Sequence, residues 1–191
     1  MKHLFLVCMA AFSLAAAGSL SASTILFDLQ GTGGVGLLNT SEPGSPAGGT
    51  GGEIGGGISY DDVTNLLTIN VGWGSSQGFT DLSSLSNNSH LHGPTTNNNG
   101  NGFTETAGVL FNLTRSSNAT TGGTITQTLT ALSGAQETDL LNGKYYINIH
   151  TVNNGGGELR GFLVQAVPEP SRTLLGMLGV GLLMFRRSRK A

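Results

Sequence analysis

Apart from His3, the chain holds three histidines, His90, His92 and His150. Imidazole is the side chain that most readily supplies a neutral nitrogen ligand or moves a proton near neutral pH. In His90-Leu91-His92-Gly93-Pro94 the two histidines are spaced i, i+2. On a strand this spacing sends both rings to one side, about 7 Å apart, and sends Leu91 into the core. Two such rings can close on one metal ion, and His150 as a third ligand gives an imidazole set suited to copper or zinc. Glu158 is then a carboxylate partner or an acceptor behind the ligands. A plainer reading stays open, in which these side chains bond backbone groups, or one another, at a strand end before Gly93-Pro94. General acid–base work by a histidine needs a nucleophile or activated water that no motif here identifies. Glu158 and Arg160, two apart, share a strand face and are expected to form a structural ion pair. Asp61-Asp62 is the one adjacent pair of carboxylates. It sits between two predicted strands and reads as a turn rather than as the paired acids of a glycan hydrolase.

These side chains must be carried by strands. Short alternating or β-branched runs separated by Gly, Asn and Ser clusters predict strands at 24–29, 56–60, 65–73, 89–92, 107–113, 123–132, 144–151 and 158–165. No run has helical periodicity. The pattern predicts an all-β fold, an antiparallel sandwich or Greek-key barrel. In Lys144–Thr151, Tyr145, Ile147 and Ile149 fall on one face and Tyr146, Asn148 and His150 on the other. Residues 152–157, where Gly155, Gly156 and Gly157 can supply positive φ, turn the chain into a closing hairpin. Residues 31–55, rich in Gly and holding Pro43 and Pro46, read as a long flexible loop, and 95–102 as a second loop.

Composition narrows the function. Charged residues are 10% of the 191-residue chain, and glycine fills 31 positions. Between residues 24 and 166 only Arg115, Lys144 and Arg160 are cationic, against ten acids. That body has a net charge of −7, so nucleic acid and phosphate ligands are excluded as partners. The lone cysteine, Cys8, lies in the first apolar run, leaving the body without a thiol.

The two ends carry a different message. Residues 1–23 run from Lys2 through an apolar stretch, Leu4 to Leu14, into small residues, the layout of a secretory signal removed by signal peptidase. Residues 167–191 give V-P-E-P-S, an apolar segment Thr173 to Phe185, then R-R-S-R-K. About 13 apolar residues rise about 20 Å as a helix, short of a ~30 Å hydrocarbon core, so this is a marginal anchor. The basic tail would stay cytoplasmic. In this order the three parts resemble the PEP-CTERM sorting signal. The resemblance implies a transient membrane anchor and cutting by an exosortase-type protease near Pro168, Glu169 and Pro170.

The pair H-L-H-G-P and Y-I-N-I-H-T…G-E-L-R-G-F-L resembles the signature of the chordin-type CHRD domain, over roughly 59–164. The resemblance implies an immunoglobulin-like β-barrel with distant similarity to copper/zinc superoxide dismutases, whose metal-binding His-x-His strand is similar to His90-Leu91-His92. It carries no activity with it. The expected organisation is a signal peptide (1–23), an N-terminal strand with a Gly-rich loop (24–58), a CHRD-like β domain (59–166) and a sorting signal (167–191). The expected function is an exported cell-surface or matrix protein without evident catalysis, in contact with exopolysaccharide or other surface proteins. The alternative is a copper- or zinc-binding domain with a superoxide-dismutase-like or other redox role.

Overall fold

A computed structural model describes residues 23–167, so the signal segment, Cys8, Pro168, Glu169, Pro170, the apolar tail and the basic terminus lie outside the described residues. Ten strands form one antiparallel sheet: β1 (Thr24–Gly31), β2 (Gly34–Val35), β3 (Leu37–Leu38), β4 (Thr50–Asp61), β5 (Leu66–Trp73), β6 (Ser86–His92), β7 (Val109–Asn112), β8 (Gly123–Thr128), β9 (Tyr146–Thr151) and β10 (Leu159–Gln165). The path is β8-β5-β4-β1-β10-β9-β6-β7, with β2 on β1 and β3 bridging β4 and β10. Its two ends meet where Ser116 N–H donates to the Thr124 carbonyl, so the sheet curls towards a barrel. The all-β expectation holds.

The core follows period-2 alternation. Leu67, Ile69, Val71 and Trp73 of β5 point inward, fully buried. Leu91, Ile147, Ile149, Leu159 and Leu163 extend the same core across β6, β9 and β10. The closing hairpin forms as expected, with Leu159 opposite Ile149 and Phe162 opposite Tyr146. In its turn Gly157 takes a positive φ, at 133°.

Three expectations are corrected. Residues 31–55 are not a flexible loop. They contain β2, β3, the 3₁₀ turn Asn39–Ser41 and the start of β4. The glycines serve close approach: a Cβ on Gly51 would stand 2.5 Å from the Gly72 carbonyl oxygen, and one on Gly52 would stand 3.2 Å from the Phe79 ring. Residues 24–58, expected as a separate segment, therefore build the same sheet, and residue 59 falls inside β4. The strand expected over 123–132 stops at Thr128. A helix, Gly134–Leu141, follows it, opened by a capping box between Ser133 and Gln136 and seated by buried Leu140. None of the described helices is long and apolar enough to cross a membrane.

Candidate functional site: a buried polar face

The side of β6, β9 and β10 that faces away from the apolar core is also buried. Register lays its side chains out in rows: His92 beside Tyr146 beside Phe162, and His90 beside Asn148 beside Arg160. Asn88 stands opposite His150 in the next row. Three irregular segments cover this face. The stretch 93–108 brings Phe103 against Phe162 and the Ala107 carbonyl to His92. The turn at Glu42 packs beside Asn148 and Gly157. The hairpin loop brings the Gly155 carbonyl to His150.

The three histidines converge. Each offers one nitrogen, and these atoms lie within 4.8 Å of one another. The His90 and His92 ring centroids are 5.3 Å apart. The wiring fixes the tautomers. His92 Nδ1–H donates to the Ala107 carbonyl at 3.0 Å, and His150 Nδ1–H to the Gly155 carbonyl at 2.9 Å. Both Nε2 atoms therefore carry lone pairs. His90 Nδ1 meets His150 Nε2 at 3.0 Å, so His90 must donate there. His92 Nε2 is buried and has no partner. An imidazole whose N–H is held by a backbone carbonyl, with its other nitrogen bare, is oriented as metal ligands are. Burial lowers all three histidine pKa values, that of His90 to about 4 with help from the neighbouring imidazoles, so the rings stay neutral.

Beside this cluster lies a cleft of about 570 Å³, lined by His92, Tyr146, Asn148, Arg160 and Glu42. Tyr146 stacks on His92, with ring centroids 4.9 Å apart and planes 4° from parallel. The Arg160 guanidinium lies 3.9 Å from the centre of the Tyr146 ring, close enough for a cation–π contact. It also donates to the Glu105 carbonyl. Burial lifts the Glu42 carboxyl to about 7 against the pull of the nearby Arg160 guanidinium and Asn148 side chain.

The CHRD domain is matched over residues 35–163. The chain belongs to the CHRD family. No curated protein and no solved structure matches it. The CHRD match begins at Val35, upstream of the expected start at residue 59, and so takes in β3 and all of β4.

The structure brings His90, His92 and His150 together and places Glu158 elsewhere. The Glu158 carboxylate accepts from Gly49 N–H, Ser83 N–H, the hydroxyls of Ser83 and Thr151, and the Asn154 amide. The expected Glu158–Arg160 ion pair is not formed. Glu158 precedes β10 and turns to the 49 and 83 segments, whereas Arg160 lies over Tyr146. Among the described residues the ion pair is Lys144–Asp139, at 3.0 Å. Asp61 caps its turn, accepting from Val63 and Thr64 N–H, as read from the sequence. Sequence reasoning missed Glu42, whose partners lie more than 100 residues away and whose local sequence carries no motif.

Burial raises the Glu158 pKa, and its hydrogen bonds from Ser83, Thr151 and Gly49 more than reverse this, leaving it below 4.5. A carboxyl depressed on folding contributes stability that is complete above its unfolded pKa and is lost as pH falls through the folded value. Glu158→Gln should therefore cost about 2–4 kcal/mol at neutral pH. It should also flatten the acid limb of stability below pH 4.5. Urea unfolding at a series of pH values checks both, and an unchanged midpoint and slope would contradict them.

Proposed function

We propose that this CHRD-family chain is an exported protein of the cell surface or matrix, without catalysis, sorted by an exosortase-type protease and in contact with exopolysaccharide or other surface proteins. The observation that carries this reading is the pair of chain ends: a tripartite secretory segment at 1–23 and V-P-E-P-S, an apolar stretch and a basic tail at 167–191. The composition of the body supports it, since amides, hydroxyls and glycine replace ion pairs on the surface. Fractionation of the native host, with protease added to intact cells, tests it. The expected result is a chain shortened at both ends, cut by external protease or found in the medium. Replacing Pro168-Glu169-Pro170 with alanines should hold it at the membrane. A full-length chain in the cytoplasm would contradict the reading.

The support for a second reading, a copper- or zinc-binding domain, is one specific observation: the bare, buried Nε2 of His92 beside two further imidazoles. Ligand bonds of 2.0–2.1 Å in a tetrahedral site set donor nitrogens about 3.3 Å apart, so the cluster needs only small side-chain shifts. His92 would contribute Nε2, His150 its Nε2 once released from the His90 Nδ1–H bond, and His90 one ring nitrogen. A bound copper would supply one-electron redox chemistry, a zinc Lewis acidity. Elemental mass spectrometry after equilibration with each metal should find roughly one ion per chain, lost when His90, His92 and His150 are all changed to Ala. A metal-free wild-type chain would contradict this reading.

A further inference from the structure

Among the described residues six buried side-chain polar atoms have no hydrogen-bond partner, and four of them belong to residues lining the same cleft: Glu42 Oε1, Asn148 Oδ1, Arg160 Nε and His92 Nε2. All four residues are more than nine-tenths buried. Natural interiors leave few polar atoms unpaired, because each loses its bonds to water without replacement. Their concentration along one cleft therefore points to a group that enters it.

The unpaired atoms define the chemistry of that group. Glu42 and Asn148 offer acceptors, and Arg160 offers an N–H donor. The hydroxyl is the common group that both donates to a carboxylate or amide oxygen and accepts from a guanidinium. Glu42 and Arg160 share the cleft, so a ligand carboxylate or ammonium that suits one of them does not suit the other, whereas a neutral group that both donates and accepts suits both. The walls contribute the Tyr146 ring, Pro43 and Pro46, and the backbone of the 155–157 turn. The volume lies in the small-molecule range of about 300–1,000 Å³.

We propose that this cleft is a binding site for a neutral saccharide unit, whose hydroxyls pair with Glu42, Asn148 and Arg160. The assignment rests on the surface-display reading and gives its exopolysaccharide contact a place on the molecule.

The test is ligand-observed NMR on the full chain, purified in a detergent that carries no sugar. The probes are the methyl pyranosides of glucose, galactose and mannose, with glucuronate and glucosamine as charged comparators. At least one neutral pyranoside should bind. Two variants report on the site. Gly156→Trp obstructs the cleft from a position where an added Cβ meets nothing within 4 Å, so the fold is preserved. Glu42→Ala removes an acceptor. Affinity should fall at least about tenfold in each, while Gly134→Trp, at the start of the remote helix, should bind as the parent does. Far-ultraviolet circular dichroism confirms that each variant is folded.

Failure of every neutral pyranoside to bind overturns the proposal, as does binding of the charged sugars alone, or binding that Gly156→Trp leaves intact. A surface-exposed chain that binds no sugar sinks this inference and spares the surface reading. A sugar-binding chain retained in the cytoplasm does the reverse.

Discussion

The arrangement of this molecule depends on one constraint: the outer face of β6, β9 and β10 is withdrawn from water and yet is polar. In a barrel of this size that face normally meets solvent, which satisfies its side chains. Here the stretch 93–108, the turn at Glu42 and the 152–157 loop lie across it, so each polar atom needs a partner inside the protein or goes without. The Ala107, Gly155 and Glu105 carbonyls meet three of the demands, at His92, His150 and Arg160. They fix two imidazole tautomers as a consequence, since an imidazole that donates through Nδ1 presents a lone pair at Nε2.

The same economy governs the charges. Glu158 reaches from the head of β10 to the 49 and 83 segments and accepts five hydrogen bonds there, tying strand, loop and hairpin turn together without a counter-ion. Arg160, two residues on, is neutralised in part by the faces of Tyr146 and Phe162 and by proximity to Glu42. With so few charges in the body, dipoles and π-faces take over much of what paired ions would do for Glu158 and Arg160.

Much of this was readable in the sequence, and the division follows physical lines. Period-2 alternation in Leu66–Trp73 and Tyr146–Thr151 foretold which side chains enter the core, because a strand's pleat is a local property. The i, i+2 spacing of His90 and His92 put both rings on one face for the same reason. The Gly-rich stretch misled, since flexibility and close backbone approach call for the same residue, and only the neighbouring strand distinguishes them. The helix at 134–141 was missed because two adjacent leucines make a weak apolar stripe, although Ser133 and Gln136 did carry the capping signal. Glu42 and the roles of the Ala107 and Gly155 carbonyls arise from contacts distant in sequence, or from backbone atoms that every residue possesses.

The central claim is that a buried polar face, wired through backbone carbonyls, holds His92 and His150 with Nδ1 protonated and Nε2 unprotonated, that of His92 without a partner and that of His150 accepting from His90. The measurement that reads this most directly is long-range ¹H–¹⁵N correlation NMR of the imidazole nitrogens in metal-free protein at neutral pH. The account predicts that both residues are neutral, with the protonated shift at Nδ1 and the pyridine-like shift at Nε2. Charged rings, or protons at Nε2, would contradict it.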